Sequence, residues 1–537
     1  MLFNSYEFIF VFLPVTVATF RWLQRSKAHR LGLFWLLLAS IVFYVPAGLT
    51  SLAIITPSIL IDYWIARALV STSSVSERTR LALFVLGVAL NVFFLCYFKY
   101  RNFFLETAGM LLAKPVDAAP ALLPLGISFL VFQKIAFLED VRSGEVRTVK
   151  WDEFLLFAFF FPRVIAGPIV HYNEVVPQFS APAPRCPCVD LLIGMYLFSI
   201  GLFKKTVIAN SLAQLVLVTL GPAGHPELST LPHTLVPAWM GLLAYTLQLY
   251  FDFSGYSDMA LGAARLLGIR LPMNFNSPFK AASIVDFWNR WHITLTRILT
   301  AYVYTPIAIH LTRRRLEQGL PVLQGKRSGW PAIGTLVVFP TLTTMTLSGL
   351  WHGAGWQFLA WGVLHGVYLS INQVWRLIRP RFWRDQARYE TFMRPVGQAL
   401  TLLCVALALV FFRSASLAAA LPVLKDLGEI HGTSIADLQA IERLNMNVHF
   451  PLLHLGISLS APWCLIALLI AVMLMPNSLE LLRRFQPALD FPQETPSTQP
   501  RYPGMDLSPL TTVFAALLCA LGVMAIGPDG GFIYGQF

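Results

Sequence analysis

Long apolar runs separated by short polar loops dominate the chain from end to end. A helix that crosses a bilayer needs about 20 consecutive apolar residues. Runs of that kind predict spans near 6–23, 31–49, 51–70, 81–98, 121–138, 154–170, 189–209, 234–251, 331–350, 354–375, 396–412, 453–475 and 508–526. The pattern therefore predicts an all-α polytopic membrane protein, with residues 1–537 forming a single membrane domain.

Pro or Gly residues interrupt several predicted spans, at Pro124, Gly126, Pro162, Gly167 and Pro340. At membrane depth a broken helix is tolerated only where protein or a water-filled cavity satisfies the freed backbone groups. These interruptions therefore indicate an internal chamber.

The stretch 276–312 differs from the spans because polar and aromatic residues are interleaved along it. Its polar members are Asp286, Asn289, Arg290, His292, Thr294 and Arg297. A helix of this kind lies in the membrane interface or lines a polar cavity. Asp286 and Arg290 also have the i, i+4 spacing that favours a salt bridge on one helix face.

Composition and charge support a membrane protein and argue against a nucleic-acid partner. Charged residues make up 13% of the chain and the mean hydropathy is +0.63, whereas a soluble domain carries about 25% charged residues. The net charge is +12, but its basic residues cluster in short loops: Arg313, Arg314, Arg315, Lys326, Arg327, Arg376, Arg379, Arg381, Arg384 and Arg388. Such clusters are typical of the cytoplasmic flanks of spans and attract anionic lipid headgroups.

Charge asymmetry also predicts the orientation of both ends. The first apolar segment contains no Lys or Arg, lacks the features of a cleavable signal peptide, and is followed by Arg21 and Arg25. The last span has Arg501 upstream and no later basic residue. The positive-inside rule therefore predicts that the N-terminus and the tail 527–537 both lie outside the cytoplasm.

The motif with the clearest chemical content is Ser348–Trp356, which reads SGLWHGAGW and places His352 between two tryptophans at a junction of two spans. An ionisable residue at membrane depth is costly and is a functional candidate by default. Imidazole has a pKa suited to general-base catalysis near neutral pH. From the residues alone, a catalytic base and a histidine that hydrogen-bonds between helices remain equally open.

His292, in the segment FWNRWH, is a second candidate, for positioning a partner, binding a substrate or sharing the base role; an interfacial aromatic helix is the alternative. His365 is interpreted as a packing and hydrogen-bonding residue. Further candidates for lining a cavity are Asp252, Asp258, Asn289, Arg290, Trp351 and Trp356. For the two aspartates, a lining or structural role is favoured over direct catalysis. The six cysteines show no metal-binding or disulfide pattern.

Taken in order along the chain, these motifs resemble the membrane-bound O-acyltransferase family. The likeness is greatest to its bacterial branch of alginate O-acetyltransferases and teichoic acid D-alanyl transferases. It runs through Pro124–Phe129, Phe161–Ile169, Tyr250–Asp258, Asn274–Pro278, Trp288–His292, Leu350–Trp356 and Leu364–Gly366. The order and spacing of the segments carry the resemblance, because each string alone is weak.

The resemblance implies a ring of transmembrane, re-entrant and interfacial helices around a central tunnel. It implies a core near 120–375, peripheral spans within 1–110 and 396–526, and an acyl donor that enters from the cytoplasm. It also implies that His352 is the catalytic residue and that His292 assists it. The sequence departs from the bacterial pattern near Thr300–Ala301 and Ala308–Ile309, where an Arg-Asp pair and a Gly-Gly pair are missing.

The C-terminal segment FIYGQF resembles the C-terminal motif of the bacterial branch and that of a small membrane peptide of the D-alanylation system. In that peptide a tyrosine relays the acyl group, so the resemblance implies that Tyr534 forms a covalent intermediate. The alternative role of Tyr534 is that of an aromatic anchor at the membrane interface.

The sequence therefore predicts an O-acetyltransferase of the bacterial inner membrane that uses cytoplasmic acetyl-CoA and no metal to modify an extracytoplasmic glycan. The resemblance also implies a separate periplasmic acyltransferase as partner. The alternatives are a D-alanyl transferase with a carrier-protein thioester as donor, and a transporter or lipid flippase. No internal repeat of the kind common in transporters is found in the sequence.

Overall fold

The computed structural model describes the chain except for residues 72–75, 115–121, 181–186, 232–233, 325–327, 380–381, 384, 430–438, 440, 443, 492–503, 528–530 and 532–537. Six helices in the described part are long and apolar enough to cross a membrane: His29–Ala47, Leu49–Ser71, Glu77–Leu111, Cys188–Leu220, Trp330–His352 and Ala387–Arg413. Shorter apolar helices cover Ala461–Leu474 and Pro509–Met524. The prediction of an all-α polytopic membrane protein is confirmed.

The α-helices follow one another along nearly the whole chain. Helices α1 to α11 are Leu13–Arg25, His29–Tyr44, Leu49–Ser71, Glu77–Leu95, Arg101–Leu111, Ile127–Arg142, Trp151–Phe159, Tyr172–Phe179, Pro187–Phe203, Asn210–Leu220 and Leu235–Leu266. Helices α12 to α22 are Ile284–Trp288, Ile293–Leu299, Thr305–Glu317, Trp330–Ile333, Phe339–His352, Trp356–Ile378, Gln386–Arg413, Leu417–Asp426, Ala461–Leu474, Ser478–Leu481 and Pro509–Met524. One antiparallel hairpin pairs β1 (Asn445–Phe450) with β2 (Leu455–Ser460).

Short π-helical turns join some of these helices into continuous rods. One such turn, Gly334–Val338, lies between α15 and α16, directly before Pro340. Proline removes a backbone donor and clashes with the preceding turn of an α-helix. A wider turn at this point lets the rod Trp330–His352 continue past Pro340 instead of breaking.

Two predicted spans differ from the structure. The prediction of a span at 453–475 is wrong in its first part, because residues 455–460 form strand β2 and the helix begins only at Ala461. The predicted span 154–170 is helical only to Phe159 and continues as a buried turn through Pro162 and Gly167. In both places the apolar run is real, but backbone pairing or a turn interrupts the helix.

The chain divides into two compact units, each built from separate stretches. The first unit comprises the described residues of Met1–Thr206, Phe253–Met273 and Ser478–Gln536; the second comprises those of Val207–Asp252 and Asn274–Asn477. The interpretation of residues 1–537 as one membrane domain stays a prediction.

Buried ion pairs hold helices together within the first unit. The Lys134 ammonium lies 2.8 Å from a carboxylate oxygen of Asp62, and the Asn91 amide donates to the other oxygen at 2.7 Å. Lys204 pairs with Asp258 at 2.7 Å, and the Ser478 hydroxyl also donates to that carboxylate. Since a buried charge is stable only when paired and hydrogen-bonded, the contacts of Asp258 favour a structural role for this residue.

Candidate active site

His352 is the last residue of α16, and a close crossing of α16 with α17 sets its position. At Gly349, a Cβ atom would lie 2.3 Å from the carbonyl oxygen of Phe358 and 3.0 Å from the Cα of Gly362. At Gly353, a Cβ atom would lie 2.0 Å from the ring of Phe358. Glycine at these positions lets the two helices approach backbone to backbone, as small residues do in membrane helix pairs.

Aromatic rings surround the His352 imidazole, which is only 4% exposed. Its ring centroid lies 4.8 Å from that of Trp351, 4.9 Å from that of Trp361 and 5.3 Å from that of Phe412. Phe412 comes from the end of α18, so three helices contribute to this enclosure. The imidazole therefore lies in an apolar site, where electrostatic interactions are stronger than in water.

His365 belongs to the same cluster. Its ring packs against Trp361 at 4.7 Å, and its Nδ1 accepts a hydrogen bond from the indole N–H of Trp288 at 3.4 Å. This geometry agrees with the interpretation of His365 as a packing and hydrogen-bonding residue. The sequence did not indicate that its partners would also be neighbours of His352.

His292 lies at the break between α12 and α13 with a positive φ of 44° and is fully buried. Its Nδ1 is 3.0 Å from the side-chain oxygen of Asn274, which also accepts from the backbone N–H and the hydroxyl of Thr294. An amide oxygen only accepts hydrogen bonds, so Nδ1 of His292 is the donor. In the neutral ring Nε2 then carries the lone pair, which is the arrangement that a base or acceptor requires.

Trp351 connects the two predicted catalytic histidines. Its ring centroid lies 6.0 Å from that of His292 and 4.8 Å from that of His352. The structure thus brings His292, Trp351 and His352 into one buried cluster, although 60 residues separate the histidines in the sequence. The assignment of catalytic roles to them stays a prediction.

Two cavities of the second unit adjoin at Asn289. The smaller cavity, of about 230 Å³, is lined by Trp288, Asn289 and Met345 among others. The larger cavity, of about 1170 Å³, is lined by five cationic side chains: Lys280, Arg290, Arg376, Arg379 and Arg394. Two carboxylates also line it and pair with two of the cations, at 2.8 Å for Arg290–Asp286 and 2.9 Å for Arg379–Glu390.

The cluster and the cavities are connected through Trp288. This residue lines the smaller cavity and contacts His365. Its ring centroid lies 5.9 Å from that of Trp361, which in turn packs against His352. The larger, basic cavity and the smaller one thus share Asn289 as a lining residue, and Trp288 lies between the smaller cavity and the histidine cluster. The prediction of a salt bridge between Asp286 and Arg290 is confirmed.

The remaining predicted residues lie in several different settings. Asp252 is buried on α11, whereas Trp356 begins α17 and is 44% exposed. Tyr534 lies outside the described residues. Among the residues that the structure does describe, no group of three or more His, Cys, Asp or Glu side chains is arranged to hold a metal ion.

Sequence reasoning missed four residues that shape the site: Asn274, Trp361, Phe412 and His365 as a neighbour of His352. Asn274 belongs to a motif of the resemblance, but nothing in its sequence context predicts a hydrogen bond to His292, 18 residues later. Phe412 is one apolar residue among many in α18, so only the packing of that helix reveals it.

The chain shares sequence with enzymes that transfer acyl groups. Residues 6–320 match the model of the membrane-bound O-acyltransferase family, MBOAT. The chain is 36% identical over 475 residues to the peptidoglycan O-acetyltransferase of Helicobacter pylori, covering 83% of each protein. It is 35% identical over 396 residues to the probable alginate O-acetylase AlgI of Azotobacter vinelandii, covering 71% of this chain and 72% of that protein.

More distant similarity extends to a second kind of acyl transfer. The teichoic acid D-alanyltransferase of Streptococcus thermophilus is 28% identical over 304 residues, which cover 56% of this chain and 69% of that protein. The matches agree with the family resemblance of the motifs and with the apolar helices. This chain belongs to the membrane-bound O-acyltransferase family and is a multi-pass membrane enzyme.

Proposed function

We propose that this enzyme is an O-acetyltransferase of the bacterial inner membrane that modifies an extracytoplasmic polysaccharide or cell-wall glycan. The observation that carries the proposal is the buried cluster of His292, Trp351 and His352. It occurs in a chain that is 36% identical over 83% of its length to a peptidoglycan O-acetyltransferase. The matches to D-alanyl transferases are weaker and shorter, which supports acetyl over D-alanyl transfer.

In the proposed reaction, His352 is the general base and the donor is acetyl-CoA. His352 takes the proton from an attacking hydroxyl while the hydroxyl oxygen bonds to the thioester carbonyl carbon. The tetrahedral intermediate then collapses, the C–S bond breaks, and the CoA thiolate leaves with the proton that the imidazolium returns. His292, held by Asn274, would position a reactant or assist this proton transfer.

The larger cavity supports a polyanionic donor. Five cations line it against two carboxylates, and phosphate groups bind where charge-assisted hydrogen bonds from Arg and Lys are available. The positive-inside rule predicts that the segment containing Arg376 and Arg379 is cytoplasmic, which is where acetyl-CoA is found. Entry through this cavity would direct the acetyl group toward Asn289 and Trp288.

We further propose that Tyr534 receives the acetyl group and passes it on outside the cytoplasm, where both chain ends are predicted to lie. A phenol beside a base can form such a covalent ester. Tyr534→Phe at normal expression would then abolish glycan acetylation, and unchanged acetylation would refute the relay. A separate periplasmic acyltransferase would act on the glycan, and membrane lipids would surround the enzyme.

The first test is CoA release from acetyl-CoA by the purified protein, with membrane extract supplying the acceptor. His352→Gln should reduce the release rate to background because no base activates the attacking hydroxyl. His225→Gln is the matched control, since His225 is an exposed histidine whose Nδ1 lies 3.0 Å from Glu227. Equal rates for the wild type and the His352 variant would refute the assignment.

A further inference from the structure

Two buried polar groups next to His352 have no hydrogen-bond partner among the residues that the structure describes. They are the indole Nε1 of Trp361, whose side chain is 4% exposed, and the hydroxyl of Ser348, which is fully buried. Most buried donors in folded proteins are hydrogen-bonded, and an unpaired one needs an explanation such as a ligand or a catalytic role.

Both groups lie close to the proposed base. Trp361 packs edge to face against His352, with ring centroids 4.9 Å apart and an interplanar angle of 86°. Ser348 precedes His352 by four residues on α16, so the two side chains lie one above the other on the same helix face. A thioester carbonyl held for attack beside His352 would therefore lie near two unsatisfied donors.

We propose that Trp361 Nε1–H and the Ser348 hydroxyl donate hydrogen bonds to the acyl oxygen in the tetrahedral intermediate. As the acceptor hydroxyl bonds to the carbonyl carbon and its proton passes to His352, the carbonyl π electrons move to oxygen. The two donors stabilise that negative charge until the C=O bond re-forms and the thiolate leaves. This inference rests on the proposed function, because it requires an acyl thioester at the cluster.

Fixed donors aimed at a developing oxyanion are effective in a site without water, because they need no reorganisation during the reaction. The apolar enclosure of His352 by Trp351, Trp361 and Phe412 provides such surroundings. A purely structural explanation is that the Trp361 N–H points at the face of a neighbouring ring, Trp288 or Phe412, which lie 5.9 and 5.3 Å away.

The test is steady-state CoA release by Trp361→Phe and Ser348→Ala in the full-length protein. Ser348→Ala removes one donor with little change in shape, and Trp361→Phe removes the other together with part of the indole ring. In each variant kcat should fall about a hundredfold to a thousandfold. The KM for acetyl-CoA should change less than about threefold, because the donors act on charge that forms only in the transition state. The thermal midpoint of Ser348→Ala should not fall, because the Ser348 hydroxyl has no hydrogen bond to lose in the resting protein. Trp361→Phe should lower the midpoint through the small cavity that it leaves, so its effect on kcat is compared with that of a second Trp→Phe variant.

Two variants serve as matched controls. Trp239→Phe removes an indole N–H that donates to the Leu427 carbonyl at 3.1 Å, and should lower the thermal midpoint without lowering kcat. Ser370→Ala removes another buried, unpartnered hydroxyl, from α17, and should leave kcat unchanged.

The outcomes separate this inference from the proposed function. A kcat for Trp361→Phe and Ser348→Ala within threefold of wild type, together with loss of activity in His352→Gln, would overturn only the oxyanion assignment. If the wild type cleaves neither acetyl-CoA nor a carrier-protein thioester, the proposed function and this inference both fail.

Discussion

The crossing of α16 and α17 at Gly349 makes the position of His352 sensitive to a single methyl group. In Gly349→Ala, the new Cβ would lie 2.3 Å from the Phe358 carbonyl oxygen, which belongs to the backbone and cannot rotate away. Ordinary van der Waals contact begins at 3.4 Å, so the two helices must separate by about 1 Å at this point. His352 lies three residues further along α16 and would move with the helix.

Overpacking a tight contact costs about 1–3 kcal/mol of stability. A misplacement of about 1 Å in a catalytic geometry can cost about a hundredfold in rate. We therefore expect Gly349→Ala to fold less stably and to lose roughly two orders of magnitude in kcat for CoA release. Thermal unfolding in detergent and steady-state kinetics measure the two effects separately.

The same rod offers a control of identical chemistry. A Cβ at Gly334 would have no atom within 4 Å, so Gly334→Ala should keep full activity. Gly366→Ala, on α17, should be intermediate in kcat and thermal midpoint, since its Cβ would lie 3.1 Å from a side-chain carbon and 3.2 Å from the Cα of Leu342. If Gly349→Ala matched Gly334→Ala in both kcat and thermal midpoint, the helix crossing would not control the site.

Three further predictions follow from the contacts of particular side chains. Arg376→Gln should raise the KM for acetyl-CoA about tenfold or more, since a hydrogen bond to a charged group contributes about 1.5–3 kcal/mol. Arg388→Gln, at an exposed arginine, should leave the KM unchanged. Equal KM values for the two variants would place the donor elsewhere. Asn274→Ala should lower kcat about tenfold, because it removes the acceptor that orients His292. Steady-state kinetics would detect this change. Asp62→Leu should lower the free energy of unfolding by about 3–5 kcal/mol, because it leaves the Lys134 ammonium buried and unpaired. Adding Lys134→Met should restore most of that loss. If denaturation showed that the losses of the two single variants simply add in the double variant, the pairing would be contradicted.

The predicted span at 453–475, whose first part forms strand β2, shows where the apolar pattern alone does not predict the structure. From Asn445 to Leu479 the sequence contains no Lys, Arg, Asp or Glu, so hydropathy alone indicates membrane. Within this stretch every second residue of β1 is buried, which is the alternation typical of a β-strand. Short apolar runs fit a strand or a helix equally well, and backbone pairing with a neighbouring segment decides between them.

The sequence by itself determined the class of protein and singled out His352 as the candidate for its catalytic residue. A low charged fraction and repeated apolar runs exclude a soluble fold, and a histidine among glycines and tryptophans at membrane depth is chemically conspicuous. The salt bridge between Asp286 and Arg290 could also be predicted, because a four-residue spacing brings two side chains together on a helical turn. In the structure α12 ends at Trp288, and Arg290 lies in the turn that follows it.

Only the tertiary structure decided which groups surround that histidine. Trp361 and Phe412 reach His352 from two other helices, and Asn274 orients His292 across 18 residues of chain. These contacts depend on how closely helices cross, and steric fit at positions such as Gly349 sets that distance. Periodicity and composition report which side of a helix is apolar, whereas the geometry of a site comes from packing between segments distant in sequence.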